Sequence, residues 1–530
     1  MSHIYLIGFM GSGKSTVGFA LAARLGRPFI DLDRLVEERA GMPVSAIFDE
    51  RGEEGFRNIE EALLAEVASA RPAVVACGGG TILRDENRRV LKKSGTAVYL
   101  MVTPEEALAR IGDAAGRPLL AADAAGMAPR ILEARLSLYR AAADIVVDTV
   151  GRTVDEVVEG LVTVLGDVQE IVVSTAGSGR YPVVLGCGVL RDLGARMSAA
   201  LGQAKTVVAT DENVARLHLE TAMRSLADAG VDATSVVVPP GESSKNWETA
   251  GRLLDRFAEA GLDRRGCVVA LGGGVVGDLA GFAAATYMRG VSLVQAPTTL
   301  LAQVDSSIGG KTGVDLRAGK NLAGAFWQPA MVVSDIAALA TLPDAEWSNG
   351  LVEAAKSALL AGETQTAALE KTAPRLVVRD AVATRAAIEA SVRFKADVVA
   401  ADAREEGPRE CLNFGHTLGH ALEAVIGYGV VSHGVAVAEG MRFAARLAEE
   451  IIGAPSSTTS RVAGLLDALA VPRLATRPSS AEELMQAMRI DKKARGGAVR
   501  FVLLREPGEW VVVPVEGGAL RDALERWVDE

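Results

Sequence analysis

Near the start of the chain, Gly8-Phe9-Met10-Gly11-Ser12-Gly13-Lys14-Ser15 sets three glycines ahead of a lysine and a hydroxyl. A short apolar run at residues 3–7 precedes it, and a helical pattern follows to about Gly26. In that strand–turn–helix setting the glycines let successive backbone N–H groups converge on phosphate oxygens, and the helix N-terminus adds about half a positive charge. Lys14 is placed to neutralise the outer phosphates and Ser15 to ligate Mg2+, with Gly11, Ser12, Gly13 and Thr16 lining the same loop. The expected ligand is ATP with Mg2+. A second concentration of chemistry lies far downstream. The chain has only five histidines, and three of them, His416, His420 and His433, fall within eighteen residues. His416 and His420 are four apart in a helical pattern and so share a face, as do Glu353 and Lys356 in another. A glutamate with two histidines is a catalytic zinc donor set that leaves positions open for substrate.

A phosphate loop does not name its acceptor, and the next residues narrow the choice. Asp31 and Asp33 end the second predicted strand two apart, so both should point to one side at the carboxyl edge, where open α/β sheets bind ligands. One would hold Mg2+ through water and the other accept a hydrogen bond from a substrate hydroxyl. Arg57 can grip a carboxylate bidentately, and Gly78-Gly79-Gly80 exposes bare backbone to a ligand. Residues 116–120 suit a mobile lid that carries Arg117 to the phosphates, and Arg135, four before Tyr139, is a second carboxylate anchor. In this order and spacing the motifs resemble shikimate kinase over residues 1 to about 165. The resemblance implies that Lys14 and Ser15 bind ATP–Mg2+, with Asp31 near the metal and Arg117 as lid arginine. It also implies that Asp33, Arg57, Gly79 and Arg135 hold shikimate, and that Lys14, Asp33 and Arg117 carry the catalysis.

In the remainder, Gly272 to Gly277 follows an apolar strand and fits G-x-G-x-x-G. The acid expected about 20 residues later is missing, Asp305 being the next after Asp278, so a nucleotide is expected without an ordinary dehydrogenase. Asp211, directly after a strand, offers a carboxylate to ribose hydroxyls from upstream, and Glu242 and Lys245 sit in a Pro-Gly turn. Polar stretches that no core needs carry Arg289, Thr298, Thr299, Asp305, Lys311, Lys320, Asn321, Lys395, Arg409, Asn413, Lys492 and Lys493. So many cations in an acidic chain point to a phosphorylated, polyhydroxylated substrate.

This set resembles 3-dehydroquinate synthase across about 170–530. The resemblance implies NAD+ and a divalent cation, Zn2+ or another such as Co2+, acting on 3-deoxy-D-arabino-heptulosonate 7-phosphate. It places Glu353, His416 and His433 on the metal. Arg289, Lys311, Asn321, Lys356, Lys395, Arg409, Asn413 and His420 surround the substrate, with Lys492 or Lys493 reaching it, and Lys311, Lys356 and His420 are catalytic. Asp211, Glu242, Lys245, Gly273, Gly274, Val275, Asp278, Thr298, Thr299, Asp305 and Lys320 contact NAD+ or the space beside it. In the implied reaction a ring carbon is oxidised, phosphate leaves, the carbonyl is reduced again and the opened ring closes by an aldol step. NAD+ ends as it began, so the activity is that of a lyase.

The elements that must position these groups follow from periodicity. Apolar strands alternate with helical patterns to about residue 165, and again to about 335, which predicts parallel sheets with helices on both faces. From about 340 to 490 the pattern is Ala-rich and helical, and short strands return near the end. The fold class is therefore α/β: a phosphate-loop kinase-type domain (1–165), a linker (166–178), an α/β nucleotide domain (179–335) and a mostly helical domain for metal and substrate (336–530). With 530 residues, a net charge of −11 and a pI near 5.3, the chain reads as globular and poorly suited to nucleic acid or an anionic membrane. Cys77, Cys187, Cys267 and Cys411 are scattered without a C-x-x-C pair, which suits reduced thiols in the cytoplasm. No leader pattern or membrane-length apolar run is seen, and the expected partners are small-molecule substrates, with a homodimer through the synthase part. The two implied steps belong to one pathway but are not consecutive, so no direct channelling is expected.

Overall fold

Valine, isoleucine and other apolar residues fill the first strands on both faces, which is what a sheet covered by helices on each side requires. The computed structural model describes residues 2–529 except 113–122, 176–178, 318, 479 and 493–498. Arg117 and Lys493 lie outside the described residues, as does the side chain of Lys492. The described chain forms two compact units, residues 1–167 with 378–384, and residues 168–377 with 385–530.

In the first unit, β1 (His3–Ile7), β2 (Phe29–Asp31), β3 (Val74–Ala76), β4 (Gly95–Met101) and β5 (Ile145–Asp148) form a parallel sheet in the order β2-β3-β1-β4-β5. All of β1 and β3 is buried. The strand order reverses at β1, so its carboxyl end opens at the crevice where such sheets bind ligands. The glycine loop begins there and feeds the helix Lys14–Leu25. Gly8, Gly11 and Gly13 have φ of 148°, 76° and 89°, and a Cβ on Gly11 would lie 2.5 Å from the Ala107 carbonyl oxygen. Only glycine meets both demands. The helix Val44–Ala68, kinked at Gly52, carries Arg57 and Glu60 inward, and the helix Ala124–Ala142 does the same with Arg135 and Tyr139.

The second unit is built on seven strands: β6 (Gln169–Thr175), β7 (Gly179–Gly186), β8 (Thr206–Asp211), β9 (Ala233–Val238), β10 (Cys267–Gly272), β11 (Ser292–Pro297) and, after the hairpin of β12 (Lys311–Leu316) and β13 (Gly319–Phe326), β14 (Met331–Asp335). Their order is β6-β7-β14-β11-β10-β8-β9, parallel except for the antiparallel pair β6–β7. Within the segment expected as a linker, Gln169–Thr175 therefore forms an edge strand. Ile171, Val173 and Thr175 point inward while Val172 stays 55% exposed. Alternate residues feed two cores: Val207, Ala209, Val268, Ala270 and Leu293 on one face, and Val208, Val269, Leu271, Val294 and Val333 on the other. The parallel pairing of β10 with β8 and with β11 places the carboxyl ends of these three strands side by side.

Helices dominate from Asp344 onward, closed by the hairpin of β15 (Arg500–Glu506) and β16 (Glu509–Pro514) and the helix Gly517–Asp529. The expected division at 335/336 falls inside this single unit. Among the described residues no helix is long and apolar enough to cross a membrane.

Candidate active sites

At the first site, Lys14 Nζ donates to the Gly8 and Phe9 carbonyl oxygens at 2.9 and 3.0 Å, folded back on the loop that surrounds it. The Ser12 hydroxyl is buried without a hydrogen-bond partner. A buried polar group left unpaired is costly, which suits a loop built for an external anion. Ser15 Oγ donates to Asp31 Oδ2 at 2.6 Å, joining the two oxygens expected near Mg2+. The strand-based account of the aspartate pair needs correction. Asp31 ends β2, but Asp33 lies in the first turn of the helix Leu32–Ala40, and its N–H donates to Asp31 Oδ1 at 3.2 Å. Helix capping, and not strand alternation, sets their relation.

Asp33 comes close to the triple glycine: a Cβ on Gly78 would be 2.7 Å from Asp33 Oδ1 and 2.5 Å from Glu60 Oε1. Arg57 Nη1 donates to Glu60 Oε2 at 2.8 Å and Nη2 to Glu53 Oε1 at 3.0 Å. A side chain on Gly80 would overlap that guanidinium. Arg135 Nη1 and the Tyr139 hydroxyl both donate to the Gly79 carbonyl, at 3.2 and 2.5 Å. Arg135 is buried, so it is not a solvated helix charge. Sequence reasoning missed Glu60, which is fully buried and also accepts from the Thr81 hydroxyl. Its place three residues after Arg57, one helical turn on, was the available signal. Asp33 keeps exposed surface, yet the protein crowded round its carboxyl limits hydration and pushes it up to about 6; Lys14 opposes this, and Glu60 and Asp31 add to it.

The second site joins three helices. Asp344–Ala361 carries Glu353 and Lys356, His416–Ile426 begins with His416 and brings His420 round one turn later, and His433–Ile452 begins with His433. The last two pack closely because Gly440 and Gly419 have no side chain; a Cβ on Gly440 would overlap the Gly415 carbonyl. Glu353 Oε1 is 3.5 Å from Nε2 of both His416 and His433, and one donor atom from each residue lies within 4.8 Å of the others. Glu353 Oε2 pairs with Lys356 Nζ at 2.5 Å, but neither carboxylate oxygen accepts a hydrogen bond of normal geometry, although both are buried. The pair is thus far from the surface ion pair that helical spacing alone would suggest.

His416 Nδ1 faces the Phe414 carbonyl oxygen at 3.2 Å, and His433 Nδ1 faces Glu423 Oε2 at 3.5 Å, which leaves both Nε2 atoms toward Glu353. Burial, then Lys356, push His416 down to about 3, so its ring is neutral and has a lone pair to give. Burial would raise Glu353, but Lys356 and then His416 outweigh it and hold the carboxyl at about 2. Burial would lower His433, but Glu353 and Glu423 outweigh it and push it up to about 9, so its proton leaves when a cation takes its place. A carboxylate with unsatisfied buried oxygens and two imidazoles whose Nε2 atoms face it fit a divalent cation. The His420 ring lies 5.4 Å from that of His416.

Around this triad, Asp305 lies between Lys356, at 3.3 Å, and Lys395, whose Nζ also donates to the Asp305 carbonyl at 2.8 Å. Arg409 is buried with its guanidinium on the Ala403 and Gly309 carbonyls at 2.8 and 3.0 Å. Lys311 pairs with Glu405, which also accepts from Asn413 Nδ2 at 2.7 Å. Glu405 was not foreseen, since an acid in a charged loop carries no pattern. On the nucleotide side, Lys245 Nζ reaches Asp278 Oδ2 and Asn321 Oδ1, each at 2.5 Å. Lys320 Nζ lies 3.6 Å from Glu242 Oε1.

Gly273 is the N-cap of the helix Gly274–Thr286, which begins with Gly274 and Val275, and a Cβ on Gly273 would be 2.9 Å from Thr299 Cγ2. The Thr298 hydroxyl is buried and unpaired beside this turn, and the pairing of Leu271 with Thr210 sets Asp211 alongside Gly272. A bare glycine turn, an orphan hydroxyl and a carboxylate one strand away fit a dinucleotide. Asp211 already spends Oδ1 on capping Asn213 and Val214 at 2.8 and 3.0 Å. Arg289 is exposed at φ 70° and makes no hydrogen bond or ion pair among the described residues.

Comparison with known proteins finds a family for each part of the chain. Residues 10–166 match the shikimate kinase family, residues 235–349 the N-terminal part of 3-dehydroquinate synthase and residues 350–494 its C-terminal part. The 3-dehydroquinate synthase of Symbiobacterium thermophilum is 46% identical over 352 residues, covering 66% of this chain and 98% of that protein. That of Azotobacter vinelandii is 44% identical over 353 residues, covering 67% and 95%. The 2-epi-5-epi-valiolone synthase of Streptomyces hygroscopicus, solved with NAD+ and Zn2+ bound, is 28% identical with a TM-score of 0.61, covering 66% of this chain and 96% of that one. The chain belongs to the 3-dehydroquinate synthase family and joins a shikimate kinase domain to it, making one polypeptide with two enzymes of the shikimate pathway.

Proposed function

We propose that the two activities divide the residues as follows. In the kinase, Lys14 and the loop Gly11, Ser12, Gly13, Ser15 and Thr16 hold the ATP phosphates, with Ser15 and Asp31 on Mg2+. Arg57 and Arg135 grip the carboxylate of shikimate against Gly79, while Asp33 accepts the proton of the attacking hydroxyl. Arg117 serves as the lid cation. Glu60 keeps Arg57 aimed by pairing with one edge of its fork. Because Asp33 titrates near 6, it is ionised above that pH and protonated below it. Shikimate-dependent kcat/KM should therefore fall as pH drops through about 6. A profile flat to pH 5 would contradict the role given to Asp33.

In the synthase, Glu353, His416 and His433 hold the divalent cation, Zn2+ or Co2+, and Asp211, Gly273, Gly274, Val275, Asp278, Thr298, Thr299 and Lys320 line the NAD+ site with Glu242, Lys245 and Asp305. When bound, these two groups supply reversible hydride acceptance and polarisation of the substrate oxygens. Lys395, Arg409 and Arg289 neutralise the anionic ends of the heptulosonate phosphate, and Asn321 and Asn413 take its hydroxyls. Lys311, Lys356 and His420 donate to or relay protons among the ring oxygens, and Lys492 contacts the substrate. Phosphate itself can take up the proton lost as it departs, so no strong protein base is required. The observation that carries this reading is Glu353: a fully buried carboxylate aimed at two histidines, with neither oxygen hydrogen-bonded.

Burial lowers Lys395 to about 8 despite the neighbouring Asp305. Its cation is present below that pH and lost above it, so KM for the sugar phosphate should rise between pH 8 and 9.5, where ordinary lysines stay charged. Steady-state KM across that range checks this, and a constant KM would remove Lys395 from anion binding. The acidic charge and four scattered cysteines with no C-x-x-C motif support action on small molecules in the cytoplasm, and the family resemblance supports a homodimer through the synthase part. The direct test is one preparation assayed twice: ADP formed only with shikimate, and phosphate released from the heptulosonate phosphate. Failure of either assay removes that half of the reading.

A further inference from the structure

We propose that Glu423 is a positioning residue for the metal ligands, holding the His433 imidazole by the nitrogen that faces away from Glu353. The proposal rests on the assignment of Glu353, His416 and His433 as the metal site. Glu423 lies seven residues after His416 and three after His420 on the same helix, which brings its carboxylate round to the side of that site. Its Oε2 is 3.5 Å from His433 Nδ1, while His433 Nε2 is 3.5 Å from Glu353 Oε1, so the ring spans the two acids. The other oxygen, Oε1, accepts from Lys320 Nζ at 3.3 Å.

Lys320 in turn stands 3.6 Å from Glu242 Oε1 and 4.6 Å over the Tyr428 ring, so the far side of the carboxylate is fixed as well. Glu423 is only 5% exposed. A buried charge at a helix-packing position often costs stability compared with an apolar residue of similar size, so its presence calls for a use. Holding a ligand supplies that use. An imidazole whose Nδ1–H is taken by a carboxylate is locked with its Nε2 lone pair toward the metal and becomes a stronger donor. Among the described residues His416 Nδ1 meets the neutral Phe414 carbonyl in the corresponding place, so there the charged anchor belongs to His433.

The experiment titrates full-length protein with Co2+ against a competing chelator and follows the visible absorption of the bound ion. Glu423→Ala should weaken Co2+ binding by about 10–100-fold and shift the spectrum. Glu423→Gln should lose less, because the amide oxygen still accepts the Nδ1 proton. A merely structural glutamate would lower the melting point of metal-free protein and leave Co2+ affinity alone. If both variants bind within about twofold of wild type the proposal is overturned, and should the alanine variant fail to fold, the near-isosteric glutamine variant decides by the same threshold. Wild-type protein that binds no Co2+, or binds it equally well after His433→Ala, would overturn the metal assignment and the proposal together. Tight wild-type binding with unaffected Glu423 variants would overturn the proposal alone.

Discussion

Lys14→Met should cut shikimate-dependent ADP formation by roughly 10²–10³-fold in kcat and leave phosphate release by the synthase unchanged. Methionine keeps the length of the lysine stem, so the loop loses a cation and little packing. Lys14 makes its described hydrogen bonds to carbonyls of its own loop, which water or neighbouring N–H groups can serve in the variant. What cannot be replaced is a positive charge beside the phosphoryl oxygens as negative charge moves onto the leaving group. The effect should fall on kcat more than on the KM for shikimate, whose anchors, Arg57 and Arg135, are untouched. Initial rates of both reactions in the same preparation check this. Kinase activity within tenfold of wild type would remove Lys14 from its assigned place.

Glu353→Gln should produce the mirror result: synthase activity reduced by at least about 10²-fold, with the kinase rate retained. The change is nearly isosteric, but it removes the anion that draws the cation into a site whose other two ligands are neutral. It also leaves Lys356 buried with Asp305 as its remaining described acidic partner. Breaking one side of a buried ion pair typically costs about 3–5 kcal/mol, so the synthase part should also melt earlier. Metal content after dialysis, measured beside the two activities, separates lost binding from lost folding. A variant that retains its metal and its activity would show that Glu353 is not a ligand.

The legible and illegible parts of these sites differ by the range of the interactions that make them. The phosphate loop could be read outright, because glycines, lysine and serine act within eight consecutive residues and the flanking strand and helix are local as well. The histidine cluster was legible as a set, since helical spacing pairs His416 with His420. Only the packing of a third helix shows that His433 and His416 share the donor atoms near Glu353. Asp33 was placed on the wrong element because β2 stops two residues sooner than the apolar pattern suggested. IVVST at 171–175 reads as strand-like, but its alternation of buried and exposed residues does not say that it pairs as the edge of the sheet that follows, so the expected linker overlaps β6.

Glu60, Glu405 and Glu423 escaped for a common reason. An acid on a helix or in a charged loop looks the same in sequence whether it meets water or a buried cation. Glu60 has Arg57 one turn back on its own helix, but the burial that gives the pair its meaning, like the meeting of Glu405 with Lys311 and of Glu423 with His433, comes from the tertiary fold. The division at 335/336 could not be judged from periodicity, which reports where strands give way to helices and not whether the two regions share one body.

Phosphate release from 3-deoxy-D-arabino-heptulosonate 7-phosphate decides whether one chain carries a kinase and a cofactor-recycling lyase. Wild-type protein is assayed with and without NAD+ and with and without a chelator, while absorbance follows NADH. Phosphate should be released only when NAD+ and metal are both present, with no net NADH formed and with shikimate-dependent ADP formation in the same sample. Accumulation of NADH in step with turnover, or phosphate release indifferent to both chelator and NAD+, would contradict that expectation.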